Sequence, residues 1–259
     1  MSAVPPAVFW VLAVLLGLVV GSFLNVVVHR VPRKLSLSAP GSRCGACETP
    51  IAWRDNVPVL SYLLLGGRCR HCRAGISAAY PLVEIATMAL FLIHFWIFGL
   101  TGLGAVRLLF ACAMLVLFFI DLELQILPNV ITLPGVVAGI VASVFLPPGL
   151  MLSLLGALLG GGVLWAIAEI YVRVRGIEGM GMGDVKMLGM IGAFLGAPLM
   201  GLTLVLSSLA GALVGVGLML AGRGDLQRRL PFGTFLAAAA VFASLWGQPI
   251  VDWYAGFYR

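Results

Sequence analysis

The stretch that decides the fold is EGMGMGDVKMLG at residues 178–189, followed by an uncharged apolar run that continues to residue 222. A glycine in a helix costs about 1 kcal/mol relative to alanine. An ionised carboxylate such as that of Asp184 is also costly near hydrocarbon. Alternating glycines and an aspartate at the start of such a run therefore predict a function that offsets both costs.

The composition predicts an integral membrane protein. The chain has 259 residues, of which 61% are hydrophobic and 10% are charged, and its mean hydropathy is +1.11. Soluble domains carry about 25% charged residues, so a water-soluble fold is excluded. There are enough apolar residues for about eight spans of about 20 residues each. We expect an all-α, polytopic membrane protein with about eight transmembrane helices.

The apolar segments place these spans along the chain. The first, within residues 1–28, has no basic segment before it and no clear cleavage site, which predicts a retained helix and not a signal peptide. The run 187–222 is too long for one span, and proline breaks helices, so we expect a break at Ala197–Pro198. The predicted spans are 7–28, 80–98, 104–120, 130–146, 150–172, 185–197, 199–222 and 231–248.

The positive charges predict the topology. Three loops, at 29–78, 173–186 and 223–230, hold 14 of the 16 Lys and Arg residues. With eight spans these loops lie on one side, which the positive-inside rule makes cytoplasmic, with both termini periplasmic. The net charge of +6 then reflects topology and contact with anionic membrane lipid. A nucleic-acid partner is not expected.

Two CxxC pairs lie in the loop 29–78, the only extramembrane segment of domain size. Cys44 and Cys47 form one pair, Cys69 and Cys72 the other, and 21 residues separate the pairs. Four thiolates suit a tetrahedral zinc site, which has no open position for catalysis and is therefore structural. Two disulfides or unused thiols are the alternatives, although a reducing cytoplasm favours metal.

Two aspartates are predicted to lie at the same depth on the cytoplasmic side. Asp121 ends the third span and Asp184 starts the sixth. Two neighbouring carboxyl groups share a proton, so that one activates water and the other hydrogen-bonds the scissile carbonyl. The alternatives are a helix cap for Asp184, a solvated loop position for Asp121, an ion-coupled transporter or an assembly scaffold.

Several other residues are candidates for substrate binding. Gly181 and Gly183 would let a peptide backbone approach closely. Glu123 and Lys186 neighbour the two aspartates. Glu84 lies near the start of the second span, where an acidic group is a functional candidate, although pairing with a loop arginine is an alternative.

Taken together, these motifs resemble the bacterial type IV prepilin peptidases. GMGD at 181–184 is similar to the GxGD motif of that family, and IDLELQILPN at 120–129 to its first aspartate motif. The similarity extends from about residue 17 to about 236, and includes the CxxC pairs. Two further similar segments are GSFLNVVVHRVP at 21–32 and PFGTF at 231–235.

The resemblance implies a bifunctional enzyme of the inner membrane. Such enzymes remove the basic leader peptide of prepilins and type II secretion pseudopilins at the cytoplasmic face, then N-methylate the new terminus with S-adenosylmethionine. It implies that Asp121 and Asp184 are catalytic and that the four cysteines bind zinc. CGAC departs from the pattern, which has proline after the first cysteine. We expect a first helix at 1–28, a zinc loop at 29–78 and a peptidase domain at 79–259.

Overall fold

A computed structural model describes residues 6–176, 181–221 and 230–257, and all longer elements within these ranges are α-helices. The all-α prediction is therefore confirmed. The predicted loop arginines Arg223, Arg228 and Arg229, and the first part of the glycine run, lie outside the described residues. The helices are α1 Pro6–Arg30, α2 Leu60–Leu64, α3 Ala79–Phe98, α4 Gly102–Leu124, α5 Asn129–Ala142, α6 Leu150–Arg175, α7 Met182–Leu220 and α8 Phe232–Gly256.

Six helices in the described ranges are long and apolar enough to cross a membrane: α1, α3, α4, α6, α7 and α8. The helix α5 has only 14 residues. The helix α7 has 39 residues and breaks at Gly196, where φ is 79°. Each of the eight predicted apolar segments is thus helical, although α5 and the part of α7 before Gly196 are shorter than a full span of about 20 residues.

The break in α7 lies one residue before the predicted position. Glycine adopts a positive φ at little steric cost, and Pro198 follows in the first turn of the next segment, where no amide donor is needed. The break frees the carbonyl of Ala193, which accepts hydrogen bonds from the hydroxyls of Ser153 at 2.7 Å and Ser143 at 3.3 Å. These hydroxyls satisfy a backbone group that the bilayer would otherwise leave unpaired.

The chain forms two compact units, Met1–Leu100 and Thr101–Arg259. In the first unit α1 packs along α3 at backbone distance. A Cβ at Gly17 would lie 2.6 Å from the Cα of Met88, and one at Gly21 would lie 2.7 Å from the Cα of Glu84. The structure therefore groups α3 with α1, whereas the sequence analysis assigned it to the peptidase domain at 79–259. That assignment stays a prediction about function.

In the second unit the first half of α7 forms the centre of the core. Its side chains from Met187 to Leu195 are buried, and they pack with buried residues of α4 and α8 such as Phe110 and Leu236. The helix α6 approaches α7 through Gly156, where an added Cβ would collide with the carbonyl oxygen of Gly192. Small residues at this contact permit the close packing.

The site forms where four helix ends meet. The helix α4 ends at Leu124, and Gln125 terminates it in the left-handed conformation with φ 54°. The helix α5 starts at Asn129 after only four linking residues. The first turns of α7 and α8 lie against this connection, because Gly183 and Gly233 would both contact Leu127 if they carried a Cβ.

Candidate active site

Asp121 lies in the last turn of α4 and is held by the start of α8. Its side chain is buried, and its Oδ2 accepts two hydrogen bonds from Thr234, one from the backbone N–H at 2.7 Å and one from the hydroxyl at 3.1 Å. Thr234 is the third residue of α8. The free amides and the dipole at a helix N-terminus stabilise negative charge there. The carboxylate of Asp121 is therefore fixed in position through one of its two oxygens.

Gly233 makes this approach possible. A Cβ at this position would lie 3.0 Å from the Cγ of Asp121 and 3.0 Å from Leu127 Cδ1. The sequence analysis quoted PFGTF only as part of the resemblance and assigned no role to Gly233 or Thr234. The available signal was a glycine and a hydroxyl residue directly after a proline at a predicted helix start.

Asp184 is the third residue of α7, and its backbone N–H bonds the carbonyl of Gly181 at 3.1 Å. The helix-cap alternative for Asp184 is wrong, because Gly181 occupies the N-cap position. Within the described ranges no hydrogen bond reaches the carboxylate of Asp184. The negative charge of Asp121 repels a negative charge on the carboxylate of Asp184.

Both aspartates line one cavity of about 290 Å³. The structure thus brings together the two carboxylates that the sequence analysis paired from topology. The rest of the wall combines two side-chain amides with apolar groups and exposed backbone. These lining residues are Gln125, Ile126, Leu127, Asn129, Gly181 and Gly183.

The two glycines before Asp184 differ in their surroundings. A Cβ at Gly183 would lie 2.9 Å from Leu127 Cβ, so glycine is needed for α7 to contact the α4–α5 connection. Among the described residues, a Cβ at Gly181 would meet nothing closer than 3.8 Å, and its φ of −74° suits any residue. Gly181 therefore leaves open space beside Asp184, whereas Gly183 maintains a packing contact.

The remaining predicted binding residues have other described surroundings. Lys186 donates a hydrogen bond of 2.9 Å to Asn129 Oδ1 and thereby ties α7 to the start of α5. Glu123 is exposed on the last turn of α4 and is not among the described residues that line the cavity. Glu84, in the first unit, is 8% exposed, and its Oε2 accepts a 2.7 Å hydrogen bond from the N–H of Val59. Within the described residues, the carboxylate of Glu84 thus pairs with a backbone amide and with the side chain of Ser22, and not with a loop arginine.

The four cysteines lie on two turns of the same construction. In each turn the first cysteine forms two backbone hydrogen bonds. Its N–H donates to the carbonyl of the residue five positions later, and its own carbonyl accepts from the N–H of the residue four positions later. The residue at that fourth position has a positive φ in both turns, 55° at Glu48 and 59° at Arg73. A bridge between Arg43 and Pro50, and a second between Arg68 and Gly75, closes each turn.

The two turns form a cluster that can bind a metal ion. The four Sγ atoms lie within 4.8 Å of one another, and those of Cys44 and Cys72 are 3.7 Å apart. Sulfur atoms around a tetrahedral zinc ion are separated by about 3.8 Å, given Zn–S bonds of about 2.3 Å. All four are free thiols and not disulfides. Hydrogen bonds with the side chain and backbone of Thr49 lower the pKa of Cys47 to about 6, and backbone hydrogen bonds with Cys72 and His71 lower the pKa of Cys69. Although a backbone hydrogen bond with Ala74 acts in the opposite direction, the neighbouring thiols raise the pKa of Cys72 to about 11. Two of the four thiols therefore favour the thiolate that metals require.

Comparison with known proteins finds a matching family model for each of the two units. Residues 15–98 match the model of the bacterial peptidase A24 N-terminal domain, and residues 108–216 match the type IV leader peptidase family. A prepilin leader peptidase/N-methyltransferase of Pseudomonas aeruginosa is 39% identical over 97% of this chain and 95% of its own length. Proteins of the same name from Aeromonas salmonicida and Burkholderia pseudomallei are 38% and 36% identical over 96% of this chain and 94% and 89% of their own lengths. No solved structure matches.

Proposed function

The chain belongs to the type IV leader peptidase family, and on that premise we propose that it is a membrane aspartic peptidase that removes the leader peptide of prepilins and then N-methylates the new terminus. Relatives with both activities in their name match it over almost its whole length. The ion-coupled transporter alternative has no support among these matches. The observation that carries the proteolytic part is the cavity shared by Asp121 and Asp184.

The surroundings of the two aspartates support a division of roles. Two donors from Thr234 stabilise negative charge on Asp121, so Asp121 is the base that removes a proton from the attacking water. Asp184 has no such donors in the described part of the chain, and it lies in the field of a second carboxylate. It therefore carries the shared proton and donates a hydrogen bond to the oxygen of the scissile carbonyl.

The cavity also offers groups that can hold an extended peptide. The amides of Gln125 and Asn129 line it, and amide side chains can both donate to and accept from a peptide backbone. Gly181 exposes backbone beside Asp184, where a substrate strand could pair. Glu123, exposed nearby, would attract the basic leader. Lys186 and Glu84 stay predictions as binding residues.

Location and substrate range follow from the same proposal. The chain is a multi-pass protein of the inner membrane. We propose that the aspartates face the cytoplasm and that both termini are periplasmic, because the exposed Arg173 and Arg175 end α6 close in sequence to Asp184. Substrates would be prepilins and type II secretion pseudopilins, which present a basic leader on the same side. Membrane lipid is the surrounding partner, and nucleic acid is not expected.

The methylating reaction needs two further components. We propose that the cluster Cys44, Cys47, Cys69 and Cys72 holds a structural zinc ion that fixes the fold of its loop. S-adenosylmethionine, when bound, supplies the methyl group. Its site does not follow from a glycine-rich nucleotide motif, because no such motif follows a strand in the sequence.

The test is cleavage of a purified prepilin by the full chain reconstituted in lipid. We expect Asp121→Asn and Asp184→Asn each to lower the cleavage rate by about 10²- to 10⁴-fold, because a general acid or base contributes about that much. Asp252→Asn is the matched control, since Asp252 is exposed in the last turns of α8. Cleavage at the wild-type rate by either active-site variant would disprove the two-carboxylate mechanism.

A further inference from the structure

An apolar surface projects from the cysteine-containing loop, where a segment in water should be polar. It is formed by the short helix α2 and the 3₁₀ turn Trp53–Asp55. Trp53 is 84% exposed, Leu63 67% and Leu64 77%, and Leu60 is also exposed. Exposed apolar clusters of this kind mark contact with a partner or a membrane. We name the four residues Trp53, Leu60, Leu63 and Leu64 the α2 face.

The hydrogen bond of Glu84 sets the depth of the α2 face. The helix α3 has 20 residues and is about 30 Å long, which matches the thickness of the hydrocarbon layer. Glu84 lies five residues after the start of α3 at Ala79, so the backbone has already advanced about 8 Å along the span there. The carboxylate of Glu84 binds the amide of Val59, the residue directly before α2. The helix α2 is therefore tied to a point within the membrane-crossing part of α3.

The turn that carries α2 is held in place by several bonds. Val59 has φ 60°, and the N–H of Leu60 bonds the carbonyl of Pro58 at 2.6 Å. A β-branched residue at positive φ is strained, and such a turn persists only when its surroundings hold it. The hydroxyl of Ser61 contributes two bonds of 2.9 Å, accepting from Val57 N–H and donating to the carbonyl of Arg54. The α2 face is therefore a built feature.

The charges of the loop that carries the α2 face favour an anionic surface. Asp55 in the 3₁₀ turn is paired with Arg70 at 2.6 Å, so its negative charge is compensated. Besides Arg70, five arginines of the loop 29–78 are exposed, against one exposed acid, Glu48; these arginines are Arg33, Arg43, Arg54, Arg68 and Arg73. Exposed tryptophan and leucine beside basic residues are typical of segments that lie in the headgroup region of anionic membranes.

We propose that the α2 face docks the cysteine loop onto the bilayer, with Trp53 and the leucines among the lipid chains and the arginines at anionic headgroups. The partner is phospholipid. The Asp55–Arg70 pair links this face to the second cysteine turn, because Arg70 stands between Cys69 and Cys72. Docking therefore fixes the height of the metal cluster above the membrane. The proposal depends on the membrane-spanning helices and not on the aspartate chemistry.

The experiment uses the full chain with 5-fluorotryptophan in nanodiscs of phosphatidylethanolamine and phosphatidylglycerol, observed by fluorine NMR. Trp53→Phe assigns the resonance of Trp53, and Trp165→Phe assigns that of Trp165, an exposed residue of the spanning helix α6. We expect lipid carrying a nitroxide to remove the Trp53 signal, as it removes that of Trp165. A water-soluble gadolinium chelate should leave both signals and remove that of free 5-fluorotryptophan.

Two results would overturn the proposal. Loss of the Trp53 signal with the chelate and not with the nitroxide lipid would place Trp53 in water. Retention of the signal with both reagents would mean that protein, and not lipid, covers the face. The role of the arginines is tested by replacing phosphatidylglycerol with phosphatidylcholine. The nitroxide effect on Trp53 should then decrease, and an unchanged effect would exclude the contribution of anionic headgroups.

Discussion

The cysteine site and the aspartate site are assembled in opposite ways. Each pair of cysteines is placed by one local turn, and the thiols remain largely accessible. Within residues 29–78 only Ser61 is buried, so this loop has almost no apolar core, and metal would supply much of its folding energy. Asp121 and Asp184, by contrast, are placed by packed helices with a shared core. One site thus depends on a ligand and the other on helix packing, and damage to each should be separable.

Loss of the metal should have the largest effect, and it should separate the cysteine site from the aspartate site. We expect Cys44→Ser to abolish methyl transfer and release the metal while prepilin cleavage continues, because the aspartates do not depend on the loop for their packing. Mass spectrometry of the pilin product separates cleavage from methylation, and elemental analysis gives the zinc content. If cleavage also stops in a folded variant, the two sites are not independent.

Gly183 tests the dependence of the aspartate site on packing. We expect Gly183→Ala to lower the cleavage rate by about 100-fold, since its methyl group would press on Leu127 beside Asp184 and a displacement of about 1 Å has that effect on catalysis. Gly181→Ala is the matched variant and should lose less than about tenfold, because its methyl group has room. Equal losses in both would show that the substrate, and not Leu127, requires the glycines.

Thr234 should have a smaller effect. We expect Thr234→Val to lower kcat by about tenfold with little change in KM, because it removes one hydrogen bond to a charged group, worth about 1.5 kcal/mol, and keeps the backbone donor. Thr234→Ser keeps the hydroxyl and should restore the rate. Steady-state kinetics with a prepilin peptide measure both. A change confined to KM would indicate contact with substrate and contradict the positioning of Asp121.

The ion pair of the loop should give the smallest effect, and that effect should disappear in acid. Its hydrogen bond with Arg70 lowers the pKa of Asp55 below 3.8, so the pair stabilises the loop fully above the unfolded value of about 3.9. That stability is lost as the pH falls through the folded pKa. We expect Asp55→Asn to unfold at a lower urea concentration than wild type, by the same margin at pH 7 and pH 5, measured by the fluorine resonance of Trp53 in the full chain labelled with 5-fluorotryptophan.

Below about pH 4 the two urea midpoints should converge. A difference between wild type and Asp55→Asn that disappears between pH 7 and pH 5 would contradict the lowered pKa and point to another titrating group in the loop.

The sequence predicted those features that local patterns encode. Long apolar segments predicted the helices. Pro198 predicted the break in α7, which lies at Gly196, to within one residue. Loop charge placed Asp121 and Asp184 on one side, and the structure puts both in one cavity.

The contacts between distant residues were not predictable in this way. Thr234 and Asp121 are 113 residues apart, and their bond depends on how α8 packs against α4, which no local spacing encodes. The partner of Glu84 was missed for a similar reason. An arginine was expected from charge, but an unusual turn at Val59 presents a backbone amide instead.

The contact between Gly156 and Gly192 also limits how this protein can be redesigned. A Cβ on either residue would strike the backbone of the other helix and not a side chain. Trimming a neighbouring side chain therefore cannot compensate a substitution at either position, and changing both residues together would widen the gap further. In a library that randomises α6 and α7, functional variants should keep glycine at both positions, while adjacent lipid-facing positions vary freely.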